Sequence, residues 1–225
     1  MLTIDQAAKL LGMPKATVMR WVRQGKLPTR EVEGQTFIPQ EDLVRWARKR
    51  NIFLHREVLP AGGKRSSKPE SLSVIVERGG IFFGVKGRTP TEVLRRSAQL
   101  IPLPPEIDKN FIADLLIQRE KLASTGIGKG VAIPHPRYPL ESLEVPALIT
   151  TCFLAEPVDF KAIDGKPVFV LFVLLSSTTK LHLHYLSRLS FCLREPEFVT
   201  MLSECKKPDD LLRLLKEKEA AMDDA

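Results

Sequence analysis

Cysteine is scarce and long apolar runs are missing from this sequence of 225 residues. Its three cysteines, Cys152, Cys192 and Cys205, form no CxxC motif and no pairing pattern, so we expect reduced thiols rather than a disulfide framework. The longest apolar run, VFVLFVLL at residues 168–175, is too short to span a bilayer. The opening MLTIDQAAKLLG is typical of an amphipathic helix and lacks the apolar stretch of a signal peptide. We therefore expect a soluble cytoplasmic protein.

Positive charge is concentrated in the first third of the chain. Residues 1–65 contain 13 Lys and Arg against 6 Asp and Glu, whereas residues 66–225 contain 21 of each. A basic segment joined to a neutral body is typical of a polyanion-binding module attached to a second domain. A solubilising basic surface would give the same count, so the charge alone leaves both interpretations open.

The first module, which we place at residues 1–55, has the pattern of short packed helices. Thr3 and Gln6 form a capping box before an apolar stripe at helical spacing, and Pro14 suits the first turn of a second helix that ends near Gly25. Two helices joined by a tight turn predict a helix-turn-helix. REVEGQTFI at residues 30–38 predicts a hairpin, hence a wing, and PQEDLVRWARKR predicts a third helix.

The second helix carries polar side chains that avoid its apolar stripe. A helix with such a face can enter the major groove of DNA, where long side chains reach phosphates and base edges. An ordinary solvated helix face is the alternative, and the wing and local charge favour DNA. The candidate DNA-binding residues are Lys15, Thr17, Arg20 and Arg23.

These residues carry a resemblance. LTIDQAAKLLGMPKATVMRWVRQGKLPTREVEGQTFIPQEDLVRW resembles the excisionase- and MerR-like winged helix-turn-helix family in its opening LTxxxAAxxLG, its TVxxW and its GKLP before the wing. The resemblance implies DNA binding, although small domains of this type also hold protein partners. It is compatible with a homodimer.

A linker and a larger α/β module follow. Residues 56–71 include LPAGGKRSSKPES, which lacks periodicity and is predicted to be a flexible linker. In residues 72–220, Thr89 and Glu92 form a second capping box, and two β-branched apolar segments, PALITTCFLAE and KPVFVLFVLLSS, are predicted to be buried strands. Helices mixed with long apolar strands predict an α/β sandwich.

A glycine-rich turn precedes a histidine held between two prolines in STGIGKGVAIPHPRYP, residues 124–139. Glycines expose backbone N–H groups, and Lys129, Arg137 and Arg119 add positive charge, so the parts suit an anion such as phosphate. No P-loop is present, so nucleotide binding is unsupported. His135 is a candidate nucleophile for a phosphoryl group. A structural histidine in a tight turn is the alternative.

His182 and His184 in TKLHLHYL are the other candidates. Residues two apart on a helix point to nearly opposite sides, so only one of them should face a site shared with His135. Such a pair also begins to resemble a zinc set, which would need a third ligand, and no HExxH or HxE…CxxC motif supports it. We therefore predict no metal.

The second module resembles a known family over about 145 residues. QREKLASTGIGKGVAIPHPR, FLAEPVDFKAIDGKPVFVLFVLLSS and TTKLHLHYLSRLSFCL are similar, in this order, to motifs of the type-2 EIIA domains (fructose/mannitol and nitrogen-regulatory) of the phosphoenolpyruvate-dependent phosphotransferase system. The resemblance is greatest to the nitrogen-regulatory branch, and it implies a mixed-sheet sandwich with flanking helices.

Site roles follow from this resemblance. It implies that His135 is the phosphorylated histidine, that His182 is the neighbouring active-site histidine and that Arg119 assists the phosphoryl group. The loop beside the phosphoryl group would be Ser124, Thr125, Gly126, Ile127 and Gly128, with His184 a bystander. The implied donor is an HPr-like phosphocarrier, and neither a metal nor a nucleotide is needed.

Two residues depart from the family pattern: Pro136 stands where glycine is more common, and Lys129 replaces a common asparagine and is expected to add charge near the site. The sequence thus predicts a cytoplasmic, phosphorylation-responsive regulator that binds DNA, a phosphotransferase component rather than a stand-alone turnover enzyme. The alternative is a DNA- or protein-binding regulator that uses the EIIA fold as an unphosphorylated scaffold.

Overall fold

The computed structural model describes residues 1–11, 13–32, 34–49, 69–105, 107–140, 143 and 145–223. The chain divides into two compact units, Met1–Lys64 and Arg65–Ala225. Most of the predicted linker, residues 56–68 of 56–71, lies outside the described residues, as do residues 50–55 of the first module. None of the helices in the described ranges is long and apolar enough to cross a membrane.

The described residues of the first unit form three helices and a hairpin, in the order α1 Ile4–Leu11, α2 Lys15–Arg23, β1 Arg30–Val32, β2 Gln35–Phe37 and α3 Gln40–Lys49. The predicted capping box begins α1: the backbone N–H of Gln6 donates to the Thr3 hydroxyl at 3.2 Å, and that of Thr3 to the Gln6 side chain at 2.9 Å. These bonds satisfy two donors that a helix start leaves unpaired.

Antiparallel pairing of β1 with β2 confirms the predicted wing hairpin. Gly25, in the left-handed region at φ +62°, ends the turn after α2. In the part of this unit that the structure describes, the core is formed by Leu2, Ala7, Ala8, Leu10, Leu11, Val18, Leu27, Ile38, Leu43 and Ala47. The apolar residues predicted at helical spacing in α1, α2 and α3 therefore do bury one face of each helix.

The second unit is a five-stranded mixed sheet with helices packed on it. Its elements are α4 Leu72–Gly79, β3 Ile81–Val85, α5 Pro90–Leu100, α6 Lys109–Leu122, β4 Gly126–Gly128, β5 Val131–Ala132, β6 Ala147–Val158, β7 Val168–Ser176, α7 Thr179–Arg194, α8 Pro196–Glu204 and α9 Pro208–Asp223. The strand order is β3-β6-β7-β5-β4, with β6 antiparallel to β7 and β5 parallel to β7. This topology confirms the expected mixed-sheet architecture.

Strands β6 and β7 are the two apolar segments predicted as buried strands, and both lie inside the sheet. Alternate residues on one face, such as Ile149 and Phe172, pack with α4, α7, α8 and α9 in one core. Cys152, on the opposite face, is buried beside Ser97 of α5, which shows that the sheet is covered on both sides. This double burial explains why both strands have nearly continuous apolar sequences.

The residues just before α4 differ from the predicted linker. Ser71 caps α4 by accepting a hydrogen bond from the Val74 N–H. Glu70 forms an ion pair with Arg78 at 2.6 Å and accepts a hydrogen bond at its carbonyl from the buried Tyr185 hydroxyl, at 3.2 Å. Glu70 and Ser71 thus belong to the second unit, because their partners lie in α4, which follows directly, and in α7, 115 residues after Glu70.

Glu219 of α9 is a buried carboxylate that holds the start of α4. It accepts hydrogen bonds from the backbone N–H groups of Leu72 and Ser73, and lies 3.5 Å from Arg188. Glu219→Gln should lower the free energy of unfolding by about 2 kcal/mol, because one of these buried donors loses its charged acceptor. Urea denaturation measures this change. Glu217→Gln, on the exposed face of the same helix, is the control, and an equal effect of both variants would contradict the assignment.

Candidate active site

His135 lies in a segment fixed against the end of a central strand. The segment follows β5, and two backbone hydrogen bonds attach it to β7: Leu174 N–H to the Pro134 carbonyl at 2.9 Å, and Leu140 N–H to the Ser176 carbonyl at 2.8 Å. Pro134 and Pro136 are buried, while His135 is partly exposed. The two prolines, whose φ is restricted, therefore present one imidazole from a rigid support.

A backbone carbonyl sets the tautomer of His135. Its Nδ1 lies 2.8 Å from the carbonyl oxygen of Ile133. Because a carbonyl oxygen can only accept a hydrogen bond, Nδ1 must carry the proton. In the neutral ring Nε2 is then left with its lone pair, which is the electron pair that a nucleophilic imidazole uses.

The ring of His182 lies beside that of His135, with ring centroids 4.9 Å apart and ring planes inclined at 60°. Helix α7 positions His182 in its first turn, where its N–H donates to the carbonyl of the N-cap Thr178 at 3.0 Å. His184 turns away and packs edge-on against Tyr185, with ring centroids 5.0 Å apart. As expected from helical geometry, only one histidine of the pair faces His135.

Both imidazoles are held in the neutral form. Burial lowers the pKa of His135 from its ordinary value, and the nearby Arg119 charge lowers it further, against the effect of the hydrogen bond with Ile133. Burial, together with the charges of His135 and Arg119, lowers the pKa of His182 to about 4. A neutral ring at pH 7 has a lone pair available for attack.

Arg119 supplies the positive charge of the site. It lies in the last turn of α6, and its Nη1 donates to the carbonyl of Ala123 at 2.8 Å. Its charge acts on the pKa of both His135 and His182, which places it near both rings. A guanidinium has five N–H donors, so the bond to Ala123 leaves others for an anion.

The sequence predicts exposed backbone N–H groups in the glycine loop, but those of Thr125 and Gly126 donate hydrogen bonds within the protein. Glu120 accepts hydrogen bonds from both the backbone N–H, at 3.1 Å, and the hydroxyl of Thr125. The Ser124 hydroxyl donates to the Phe160 carbonyl at 2.5 Å and accepts from the Gly126 N–H at 3.0 Å. Thr125, Ser124 and Gly126 therefore shape the loop from within, because a carboxylate, a carbonyl and a hydroxyl oxygen, respectively, accept their hydrogen bonds.

Lys129 does not add charge beside His182, which corrects the expectation from sequence. Its backbone is left-handed, at φ +55°, and its Nζ donates to the carbonyls of Leu193 and Arg194 at 3.2 and 2.5 Å. Those carbonyls end α7, where a cation is favourable to the helix dipole. His182 is 12 residues earlier, about 18 Å along the helix at 1.5 Å per residue.

Two polar residues near the site were not predicted from sequence. Glu120 follows Arg119 directly and accepts a hydrogen bond from the Thr125 N–H. The spacing of five residues between Glu120 and Thr125 could have indicated this contact. Ser176 ends β7, and its hydroxyl lies 3.4 Å from His182 Nδ1. Only the fold brings Ser176 to the ring. Within the described residues, no three His, Cys, Asp or Glu side chains come together as a metal site requires.

The predicted DNA-binding residues in the first unit share α2 but differ in their surroundings. Arg20 and Arg23 are exposed. Lys15 is also exposed, and its Nζ lies 2.8 Å from the Asp5 carboxylate of α1. Thr17 is partly buried. Arg20 and Arg23, in the last turn of α2, are thus exposed and, unlike Lys15, do not pair with Asp5.

A family model described as "Phosphoenolpyruvate-dependent sugar phosphotransferase system, EIIA 2" matches residues 75–218, a range that includes the candidate residues Arg119, His135 and His182. The chain belongs to this family. A second family model, "Helix-turn-helix domain", matches residues 1–51 and places that domain before the EIIA domain. Both resemblances identified in the sequence are therefore confirmed.

Relatives of the EIIA domain include nitrogen regulatory proteins. The "Nitrogen regulatory protein" of Escherichia coli is 33% identical over 150 residues, which cover 66% of this chain and 88% of the relative. That of Pseudomonas aeruginosa is 40% identical over 122 residues, 53% of this chain and 77% of the relative. The chain thus has an EIIA domain similar to nitrogen regulatory proteins, with a helix-turn-helix domain before it.

Solved structures show the same fold. The crystal structure of nitrogen regulatory protein IIA-Ntr from Neisseria meningitidis covers 64% of this chain and 98% of its own, with 27% identity and a TM-score of 0.58. IIA mannitol from Escherichia coli, at 21% identity and a TM-score of 0.51, covers 60% of this chain and 94% of its own. The second similarity concerns the fold alone.

Proposed function

We propose that this protein is a phosphorylation-responsive regulator in which His135 Nε2 accepts a phosphoryl group from an HPr-like phosphocarrier, and in which the N-terminal domain binds DNA. The observation that carries the proposal is the His135 ring itself. Its Nδ1 is held on the Ile133 carbonyl, its Nε2 lone pair is free to react, and a second neutral imidazole lies 4.9 Å away. We place this transfer, and therefore the protein, in the cytoplasm.

The transfer needs no cofactor. The Nε2 lone pair of His135 attacks the phosphorus of the carrier's phosphohistidine, forming a new N–P bond. The old N–P bond breaks, and its electron pair returns to the ring nitrogen of the carrier. Arg119 provides positive charge for the phosphoryl oxygens during the transfer, and an N–H of His182 can add a hydrogen bond.

Exposed apolar side chains lie on the loops and helices that form the site. The set comprises Leu122, Ile127, Ile163 and Leu183, of which Ile163 is 93% exposed. Ile127 and Ile163 lie on neighbouring segments, because a Cβ at Gly126 would approach that of Ala162 to 2.9 Å. Leu183 follows His182 directly. We infer that this apolar set is where the phosphocarrier docks, since exposed apolar patches mark interaction surfaces.

Ile163→Asp should lower kcat/KM for phosphoryl transfer from the carrier at least 10-fold, because an anchor in a docking surface becomes a charge. Rapid-quench transfer assays with a phosphorylated HPr-type protein measure this value. Met201→Asp, on α8 and 48% exposed, is the matched control. Equal rates for the Ile163 and Met201 variants would contradict the docking surface.

Helix α7 connects the site with the residues that follow the linker. His182 lies in its first turn, and one turn later the Tyr185 hydroxyl donates to the Glu70 carbonyl at 3.2 Å. A further turn on, Arg188 pairs with Glu219, which caps α4. A phosphoryl group on His135, with up to two negative charges, would act directly on this helix. These contacts connect the candidate site with the start of the EIIA domain, and we infer that phosphorylation regulates the DNA-binding domain that precedes it.

The scaffold alternative, in which the EIIA fold binds without accepting phosphate, rests on Pro136. Proline removes a backbone N–H beside His135. This residue is buried and lies in the segment fixed to β7. Because the His135 ring keeps its tautomer and its neighbours, we favour phosphotransfer.

A further inference from the structure

Ser176 occupies the point where the segment carrying His135 meets the helix carrying His182. It is the last residue of β7 and only 2% exposed. Its carbonyl accepts a hydrogen bond from the Leu140 N–H at 2.8 Å, which ties it to the His135 segment. Its hydroxyl lies 3.4 Å from Nδ1 of His182. One buried residue therefore contacts both parts of the site.

The proton position on His182 matters because this ring is neutral. Burial lowers its pKa to about 4, so at pH 7 only one of its two nitrogens carries a proton. If the proton is on Nε2, the ring can donate to a phosphoryl oxygen. If it is on Nδ1, Nε2 presents a lone pair to that oxygen and repels it.

The Ser176 hydroxyl can select between these two forms. As a donor to Nδ1, it satisfies its own buried hydrogen and requires Nδ1 to be unprotonated, which leaves the proton on Nε2. Among the described residues, His182 is the only side-chain or backbone partner of this hydroxyl. As an acceptor, the hydroxyl would direct its hydrogen away from the ring nitrogen, and a buried donor without a partner is unfavourable. The donating arrangement is therefore the better one.

We propose that Ser176 is a positioning residue that donates its hydroxyl hydrogen to Nδ1 of His182 and so keeps the His182 proton on Nε2, directed to the phosphoryl group on His135. Ser176 acts through His182 and does not touch the phosphoryl group. No bond is made or broken at Ser176. The phosphoryl part of this assignment rests on the proposed function, whereas the tautomer of His182 does not.

The first test measures the tautomer directly in the full-length, unphosphorylated protein. Long-range ¹H–¹⁵N correlation spectra of the labelled histidines at pH 7 should show His182 protonated on Nε2 in wild type. Ser176→Thr keeps a hydroxyl and should give the same spectrum, whereas Ser176→Val, which has the shape of threonine, should give mixed tautomers. Protonation on Nδ1 in wild type, or identical spectra for the Thr and Val variants, would overturn the proposal.

The second test measures the consequence with phosphoramidate, a small donor that needs no carrier docking. Loss of one hydrogen bond to the phosphoryl group should speed hydrolysis of phosphorylated His135 about threefold to tenfold in Ser176→Val, but not in Ser176→Thr. Equal lifetimes of phosphorylated His135 in the Ser176→Val and Ser176→Thr variants would contradict the positioning role of Ser176. If the wild type itself takes up no phosphoryl group, the proposed function fails, while the spectra still decide the tautomer.

Discussion

His135→Ala should abolish phosphorylation of the full-length protein by phosphoenolpyruvate, enzyme I and an HPr-type phosphocarrier. The wild type should acquire one acid-labile phosphoryl group. The reason is specific to this ring: its Nδ1 is held by the Ile133 carbonyl, so Nε2 is its nucleophilic atom, and alanine has no substitute. Radiolabelling followed by acid treatment, together with intact mass measured at neutral pH, gives the result.

His184→Ala is the matched control for this experiment, because it removes an imidazole that packs on Tyr185 rather than on His135. It should be labelled like the wild type. Equal labelling of wild type and His135→Ala would place the acceptor elsewhere. An unlabelled wild type that still binds DNA would favour the scaffold alternative instead.

Arg20→Glu with Arg23→Glu should lower the affinity for a 30-base-pair random-sequence duplex on the order of 100-fold in 50 mM salt, because two phosphate contacts are replaced by repulsion. Both arginines are exposed in the last turn of α2. In the milder pair Arg20→Ala with Arg23→Ala, the slope of log K against log salt should flatten by about two. Fluorescence anisotropy across a salt series measures both quantities.

A control for net charge is available in the EIIA domain. Arg96→Glu with Lys216→Glu makes the same change of charge on exposed helix positions of that domain. It should leave DNA affinity nearly unchanged. If both double variants weaken binding equally, overall charge and not α2 governs the interaction. If neither weakens it, the helix-turn-helix domain serves another kind of partner.

Local signals in the sequence were sufficient to predict many of the helices and strands. The capping box at Thr3 and Gln6 and that at Thr89 and Glu92 lie within four residues, and both begin helices as predicted. In the second case Glu92 reaches the N–H of Arg88 rather than that of Thr89. The wing hairpin was also predicted correctly, because two short strands around a glycine turn need only local pairing.

Short elements with mixed patterns were not predicted. Strand β3 has only five residues, includes Gly84 at φ +69°, and depends on parallel pairing with β6, some 70 residues later. Helix α4 contains three consecutive β-branched residues, which favour strands, and α8 begins without a side-chain cap. Their positions are determined by the core they share, not by their own sequences.

The sequence by itself determined which residues are the candidates for the proposed chemistry: the histidine between prolines, His182, and a basic helix-turn-helix before them. Their types and spacings are encoded within short motifs. The tertiary structure alone decided that the two rings lie 4.9 Å apart, that Glu120 takes the N–H and hydroxyl of Thr125, and that Lys129 reaches the end of α7. These contacts depend on sheet register and helix packing, and hydrogen bonds between buried polar groups form only with whichever partners the fold brings within about 3 Å.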